Sequence, residues 1–178
     1  MAASPFRPAN DLLVQYATYH RDRRNIATHF VGIPMIVLAV GVLAARVSVA
    51  GIHGAWLLWA LSTLWYVTRG QLVLGLATAG VNAVLMTLAG PLAAGDTSAW
   101  LAWGLGLFIV GWIIQFVGHW WEGRKPAFAD DLVGLLVGPM FVVAEWLMAA
   151  GWGADLAAEI LQRAGPVRTG AAKVARSA

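Results

Sequence analysis

The sequence predicts an all-α fold, a polytopic membrane helix bundle of about four to five spans entered through a short N-terminal interfacial helix. Three observations lead there. The 178 residues are 60% hydrophobic and only 12% charged, a composition that belongs in a bilayer rather than in water. The apolar residues form long runs without charge, several of them long enough to cross the roughly 30 Å hydrocarbon layer as helices. Between the runs lie two polar knots, and these hold His20, His29 and His119, three of the four histidines of the chain.

The elements follow in order. The stretch before Phe30 is polar and arginine-bearing and lacks the apolar core of a signal peptide. Residues 11–20 read as a short amphipathic helix at the membrane surface, with Leu12, Leu13, Tyr16 and His20 near helical spacing and Asn10 or Asp11 as its cap. Asn25 is a suitable N-cap for a span that begins at Ile26. Four spans are expected near 30–49, 53–68, 72–91 and 99–120, the second being the shortest. A fifth apolar segment, 132–152, contains Gly138-Pro139 and Glu145, so spanning, kinking and entering and returning all remain open for it. Residues 1–161 are expected to form a single membrane domain. Residues 162–178 are basic, lack apolar periodicity and read as a disordered tail.

With no cysteine in the chain, disulfides and thiolate chemistry are excluded, and any metal must be held by nitrogen and oxygen. The net charge of +3 comes largely from arginines beside the apolar runs. That distribution suggests anionic lipid headgroups as a partner and not nucleic acid. If four spans alternate from a cytoplasmic N-terminus, Arg21, Arg23, Arg24, Arg69, Arg124 and Lys125 share the cytoplasmic side, while Arg46 and Asp96 lie opposite. Both histidine knots then fall on the cytoplasmic face. Arg163, Arg168, Lys173 and Arg176 in the tail favour a final segment that does not fully cross.

Within the second knot, Gln115, His119 and Glu122 stand at i, i+4 and i+7, one face of a helix turning about 100° per residue. Gly118 beside the histidine permits close approach of a neighbouring helix. In the first knot, His20 and His29 are nine residues apart and can share a site only if the chain turns between them, which Arg21-Asp22-Arg23-Arg24-Asn25 allows. A lone histidine at a span boundary is as readily an interfacial residue as a ligand. Three of them with Asn25, Gln115 and Glu122 converging on one side favour a site. His53 reads as a loop residue, Glu145 as the partner of an arginine, and Gly75, Ala79 and Ala83 as a packing face.

The pattern Tyr16-x3-His20-x4-Asn25-x3-His29-x4-Pro34, followed by Gln115-x2-Gly118-His119-x2-Glu122-Gly-x-Lys125-Pro126-Ala and then Gly138-Pro139, resembles the family of small membrane proteins that includes the fungal 2-hydroxy-palmitic acid dioxygenase. The likeness runs from Tyr16 to about Val143. It implies an Fe(II)-dependent membrane enzyme of α-oxidation that takes a 2-hydroxy fatty acid and O2 to the fatty acid one carbon shorter. The family histidines map onto His20, His29 and His119, whereas His53 matches no family position. The membrane implied is the inner membrane in a bacterium or the endoplasmic reticulum in a eukaryote, and a homo-oligomer is left open.

The residues suit that chemistry. Fe2+ accepts imidazole and carboxylate, and His20, His29 and His119, with Glu122 as a fourth ligand or a hydrogen-bond partner, leave coordination positions free. Asn25 and Gln115 suit the orientation of ligand imidazoles, and Arg124 or Lys125 can pair with a substrate carboxylate. The acyl tail would lie among the spans. Two other classes fit the same residues: a haem-binding electron carrier, and a non-enzymatic scaffold or transporter in which the histidines lock helix ends together.

Overall fold

The computed structural model describes residues 6–129 and 132–169. In order they form α1 (Ala9–Ala17), α2 (Arg23–Ala45), a two-residue hairpin of β1 (Ser48–Val49) and β2 (Ile52–His53), α3 (Gly54–Val67), α4 (Leu72–Ala93), α5 (Thr97–Glu122), a 3-10 turn (Ala127–Ala129), α6 (Gly134–Ala149) and α7 (Ala154–Ala164). The predicted all-α membrane bundle is what the chain forms. Helices α2, α4 and α5 are long and apolar enough to cross a membrane. Their outer faces carry exposed Leu76, Val84, Ile109, Ile113 and Phe116, a continuous apolar surface that water would not tolerate and lipid would.

Helix α3 has 14 residues, which at about 1.5 Å per residue is roughly 21 Å, short of a full span. It nonetheless connects the two ends of the bundle. At its start Gly54 N donates to Val47 O at 2.7 Å, beside the end of α2; just past its last residue Arg69 O accepts from Ala9 N at 2.8 Å, beside the start of α1. Helix α4 then runs back to the far end, where Arg46 Nε donates to Ala93 O at 3.0 Å, and α5 returns from Asp96 to Glu122. Tyr66 O lies against Gly75, and Trp59 Nε1 donates to Ala79 O at 2.9 Å, so Gly75 and Ala79 are the packing face against α3.

Two helix starts show how local sequence sets the ends. Asp22 caps α2, its carboxylate accepting from Arg24 N at 2.9 Å; Asn25 therefore lies within the first turn of α2 and is not the cap expected from sequence. Asp96 caps α5 by accepting from Ala99 N at 2.8 Å. Gly123, with φ of 71°, ends α5 one residue past Glu122 in the left-handed conformation that glycine adopts without strain.

The segment after α5 folds back against the bundle. Phe128 packs on Trp112 with ring centroids 4.7 Å apart, and Trp112 is seven residues before His119, about 10 Å deeper along α5. Helix α6 then packs on the first two helices: its Phe141 stands against Tyr16 and His20, and its Trp146 against Phe30, the eighth residue of α2. Helix α7 turns 117° from α6 and lies on α1, joined by Asn10 Nδ2 to Glu159 at 2.7 Å and Arg163 to Asp11 at 2.9 Å.

Residues 162–169 depart from the expected disordered tail. Gln162, Arg163 and Ala164 complete α7, and Arg168 forms a parallel bridge with Asp22. Its backbone N–H donates to Arg21 O at 2.6 Å, and its carbonyl accepts from Arg23 N at 3.0 Å. The buried apolar face of α7, through Leu156 and Ile160, supplies the anchoring that composition alone did not reveal. The remainder of the expected tail, 170–178, lies outside the described residues.

Candidate metal centre

Three segments bring the histidines together. His20 follows α1, His29 lies in the second turn of α2, and His119 in the last turn of α5. All three are buried. One ring nitrogen from each lies within 4.8 Å of the others, and the ring centroids stand 4.3, 4.9 and 5.2 Å apart. Such spacing leaves no width for a porphyrin between two axial imidazoles, so the geometry gives the haem-carrier reading no support.

The tautomers follow from the hydrogen bonds. His20 Nδ1 lies 2.7 Å from Tyr16 O and His29 Nδ1 lies 2.8 Å from Asn25 O. A carbonyl only accepts, so each Nδ1 carries the hydrogen and each Nε2 presents a lone pair. Those two Nε2 atoms are 2.9 Å apart. Two lone pairs facing each other at that distance repel unless a cation lies beside both. Nitrogens bound to one ion at about 2.0–2.1 Å with a right angle between them would be separated by about 3 Å. His119 adds a buried Nδ1 without a hydrogen-bond partner among the described residues. A set of three imidazoles suits iron, zinc, copper or nickel, and the residues present fit a metal.

Close packing of α2 on α5 makes this possible. A Cβ on Gly118 would collide with Thr28 Oγ1 and Asn25 Oδ1, and one on Gly32 would come within 2.9 Å of Gly111 O. Gly118 thus has the role expected of it. Tyr16 stacks on His20 at 4.2 Å, and Phe141 packs against both rings, at 5.1 and 5.4 Å. Burial holds the His20 ring well below its usual pKa, the neighbouring His29 adding to the effect, so His20 is neutral at physiological pH.

Glu122 does not point at the three rings. Its Oε2 accepts from Asp22 N at 2.7 Å and from Asn25 Nδ2 at 3.1 Å, and its Oε1 accepts from Arg168. The carboxylate ties the start of α2 to the end of α5. Asn25 reaches the centre through its backbone, as the acceptor of His29 Nδ1. Gln115 makes no bond to a histidine ring, and both polar atoms of its buried carboxamide are unpartnered among the described residues. His53 is at the far end of the bundle, with Nδ1 3.0 Å from Ala45 O. Arg124 is turned to Thr18 O at 2.9 Å, and Arg21 has Glu145 as an electrostatic partner. Arg168, which sequence reasoning passed over as part of a tail, is the residue missed.

From His29 and His119 a narrow cleft of about 60 Å³ opens between Gln115, Trp112, Ile33, Ile36 and Pro139. A second cleft of about 310 Å³, lined by Ile36, Val40, Tyr66, Met86 and Phe108, adjoins it and shares Ile36, Val37, Trp112, Leu135 and Pro139. Together they lead from the histidine cluster into an apolar groove along α2.

A family model described as 2-hydroxy-palmitic acid dioxygenase Mpo1-like matches residues 6–150. The chain belongs to the Mpo1-like family. Among curated proteins it is similar to 2-hydroxy-palmitic acid dioxygenase MPO1 of Saccharomyces cerevisiae, at 34% identity over 140 residues that cover 77% of this chain and 78% of the relative. No solved structure matches. The stretch shared with the Mpo1-like family takes in the three histidines, Gln115, Glu122 and all of α6, and stops before α7 and Arg168.

Proposed function

We propose that this chain is an Fe(II)-dependent membrane dioxygenase that shortens 2-hydroxy fatty acids by one carbon. The observation that carries the proposal is the cluster of three buried imidazoles, with ring nitrogens within 4.8 Å, at the mouth of an apolar cleft. His20, His29 and His119 would hold Fe2+, which when bound supplies activation of O2 and of a chelating substrate. The family relationship agrees, since the yeast relative is named for a 2-hydroxy-palmitic acid.

The chain's own residues supply the rest. Tyr16 O and Asn25 O fix the His20 and His29 rings so that both Nε2 lone pairs face inward. Gln115, buried beside His29 and His119 in the cleft wall and unpartnered among the described residues, offers a donor and an acceptor to the substrate's carboxylate and hydroxyl. Glu122 acts from outside the ligand set, fixing Asn25 and the Asp22 backbone. The acyl tail lies in the paired clefts, which exclude water from the reacting end. From His29 to Val40, the depth along α2 is about 16 Å, close to one leaflet of a roughly 30 Å hydrocarbon layer. The reaction balances without an outside reductant when the C1–C2 bond breaks, C1 leaves as carbon dioxide, C2 becomes the new carboxyl and O2 is reduced to water and product oxygen. The arginines around the histidine end support a cytoplasmic orientation for it.

The test is direct. Protein purified without a polyhistidine tag, supplied with Fe2+, O2 and 2-hydroxypalmitic acid in detergent, yields the fifteen-carbon acid by mass spectrometry, and chelation abolishes the product. Turnover undiminished after complete metal removal would overturn the proposal.

A further inference from the structure

Beyond the stretch shared with the family, the chain sends one cation back into the centre. Gly165, with φ of 84°, turns the backbone after α7, and Arg168 then pairs with the loop that follows His20, through its N–H to Arg21 O and its carbonyl to Arg23 N. This pairing aims the Arg168 guanidinium at Glu122, whose side chain is 1% exposed. We propose that Arg168 is a positioning residue that neutralises buried Glu122 and thereby fixes the relative placement of the segments bearing His20, His29 and His119. It rests on the metal-centre reading above and extends it to a part of the chain outside the family match.

The argument is one of buried charge. A carboxylate taken out of water needs a counter-charge as well as hydrogen bonds. Two neutral donors, Asp22 N and Asn25 Nδ2, satisfy one oxygen of Glu122, and Arg168 satisfies the other. Arg21 contributes only at longer range, its Nε donating to His20 O at 3.0 Å and its Nη1 to Gly165 O at 2.9 Å, and Arg168 is the cation whose guanidinium bonds the Glu122 carboxylate directly. Remove the Arg168 guanidinium and Oε1 of Glu122 loses its charged donor, so the carboxylate swings toward water. That movement weakens its hold on Asp22 and Asn25. The loop carrying His20, the turn preceding His29 and the end of α5 carrying His119 then lose their common tie.

The test is Co2+ titration of the full chain in detergent, read by visible absorption, together with 15N spectra of the histidine rings in metal-free protein. Arg168→Ala is expected to weaken Co2+ binding by about 10–100-fold, the size typical when a ligand-orienting partner is lost, and to shift the ring signals of His20 and His29. Arg168→Lys, which keeps the charge but not the planar fork, is expected to fall between. In a Glu122→Gln background, Arg168→Ala should have little further effect, because a neutral carboxamide needs no counter-charge. Unchanged affinity and ring spectra in Arg168→Ala, or an equal loss in both backgrounds, overturns the proposal. If Arg168→Ala does not fold, folding of the double variant supports it, and failure of both reduces Arg168 to a structural residue. Should wild-type protein bind no Co2+, the metal reading fails, and the ring spectra of the variants still decide the positioning role.

Discussion

The Nε2 atoms of His20 and His29 face each other at 2.9 Å while their Nδ1 atoms are both committed to backbone carbonyls. Neither nitrogen in the short contact carries a hydrogen, so a metal ion bound by both relieves the repulsion between their lone pairs. Two readings of the histidines, as ligands or as locks between helix ends, therefore make different predictions. Replacing any one of His20, His29 or His119 with Ala should abolish tightly bound metal and substrate shortening, while His53→Ala, at the far end of the bundle, should leave both intact. Metal analysis and product assay check this. Full metal content in all three variants would favour a scaffold.

A pH dependence follows from His20, which burial keeps neutral well below the ordinary imidazole range. An unfolded chain takes up a proton there near pH 6.5, and the metal-free folded protein does not. Stability from this group is therefore fully present above that value and declines as pH falls below it, by up to about 1.4 kcal/mol per pH unit. Thermal unfolding of metal-free protein should occur at lower temperature at pH 5 than at pH 7.5. The slope should be shallower for His20→Ala; an identical slope in the two proteins would contradict the assignment.

Much of this was legible in the sequence, for physical reasons. Apolar run length dictates helices in a bilayer, so the bundle followed from hydropathy; the i, i+4, i+7 spacing of Gln115, His119 and Glu122 fixed their common face. The turn that joins His20 to His29 was visible as a polar stretch, though Asp22 and not Asn25 caps α2. What each polar atom bonds to was not legible. Glu122 three residues after His119 looks equally like a ligand and a hydrogen-bond partner, and only the positions of Asp22 N, Asn25 and Arg168 show where its oxygens point. Arg168 was hidden because Gly, Pro and Arg in a terminal stretch carry no periodic signal, and its placement depends on α7 docking on α1.

Glu122 itself gives a sharper test. With its oxygens engaged away from the three rings, Glu122→Gln should retain metal while weakening it by about 10–100-fold. A loss as complete as in His119→Ala would make it a ligand instead.

The path of the chain predicts a labelling pattern. Residues 23, 69 and 124 lie at the histidine end, whereas residues 46 and 96 lie together at the other, where Arg46 Nη2 donates to Asp96 O at 3.1 Å. Single cysteines at the first three positions should react with an impermeant maleimide from one side of the membrane, the cytoplasmic one, and those at 46 and 96 from the opposite side. Labelling of 23 and 124 from different sides would be incompatible with a shared centre.

The clefts lead to the final prediction, which concerns chain length. Ile36 and Val37 line the throat that both clefts share, and Val40 lies one turn deeper in the second. Each methylene that leaves water for the groove contributes about 0.8 kcal/mol, roughly four-fold in kcat/KM per carbon, for as long as the chain finds wall to touch. Val37→Trp should block the throat, and so flatten the increase early and favour 2-hydroxy acids of medium length; Val40→Trp should do so a few carbons later. Both variants should bind Co2+ as the wild type does, since neither side chain reaches the histidines, and that measurement separates a filled groove from a damaged fold. A uniform fall in kcat/KM across all lengths, with metal binding intact, would show that the acyl chain lies elsewhere, against the lipid-facing surface of the bundle.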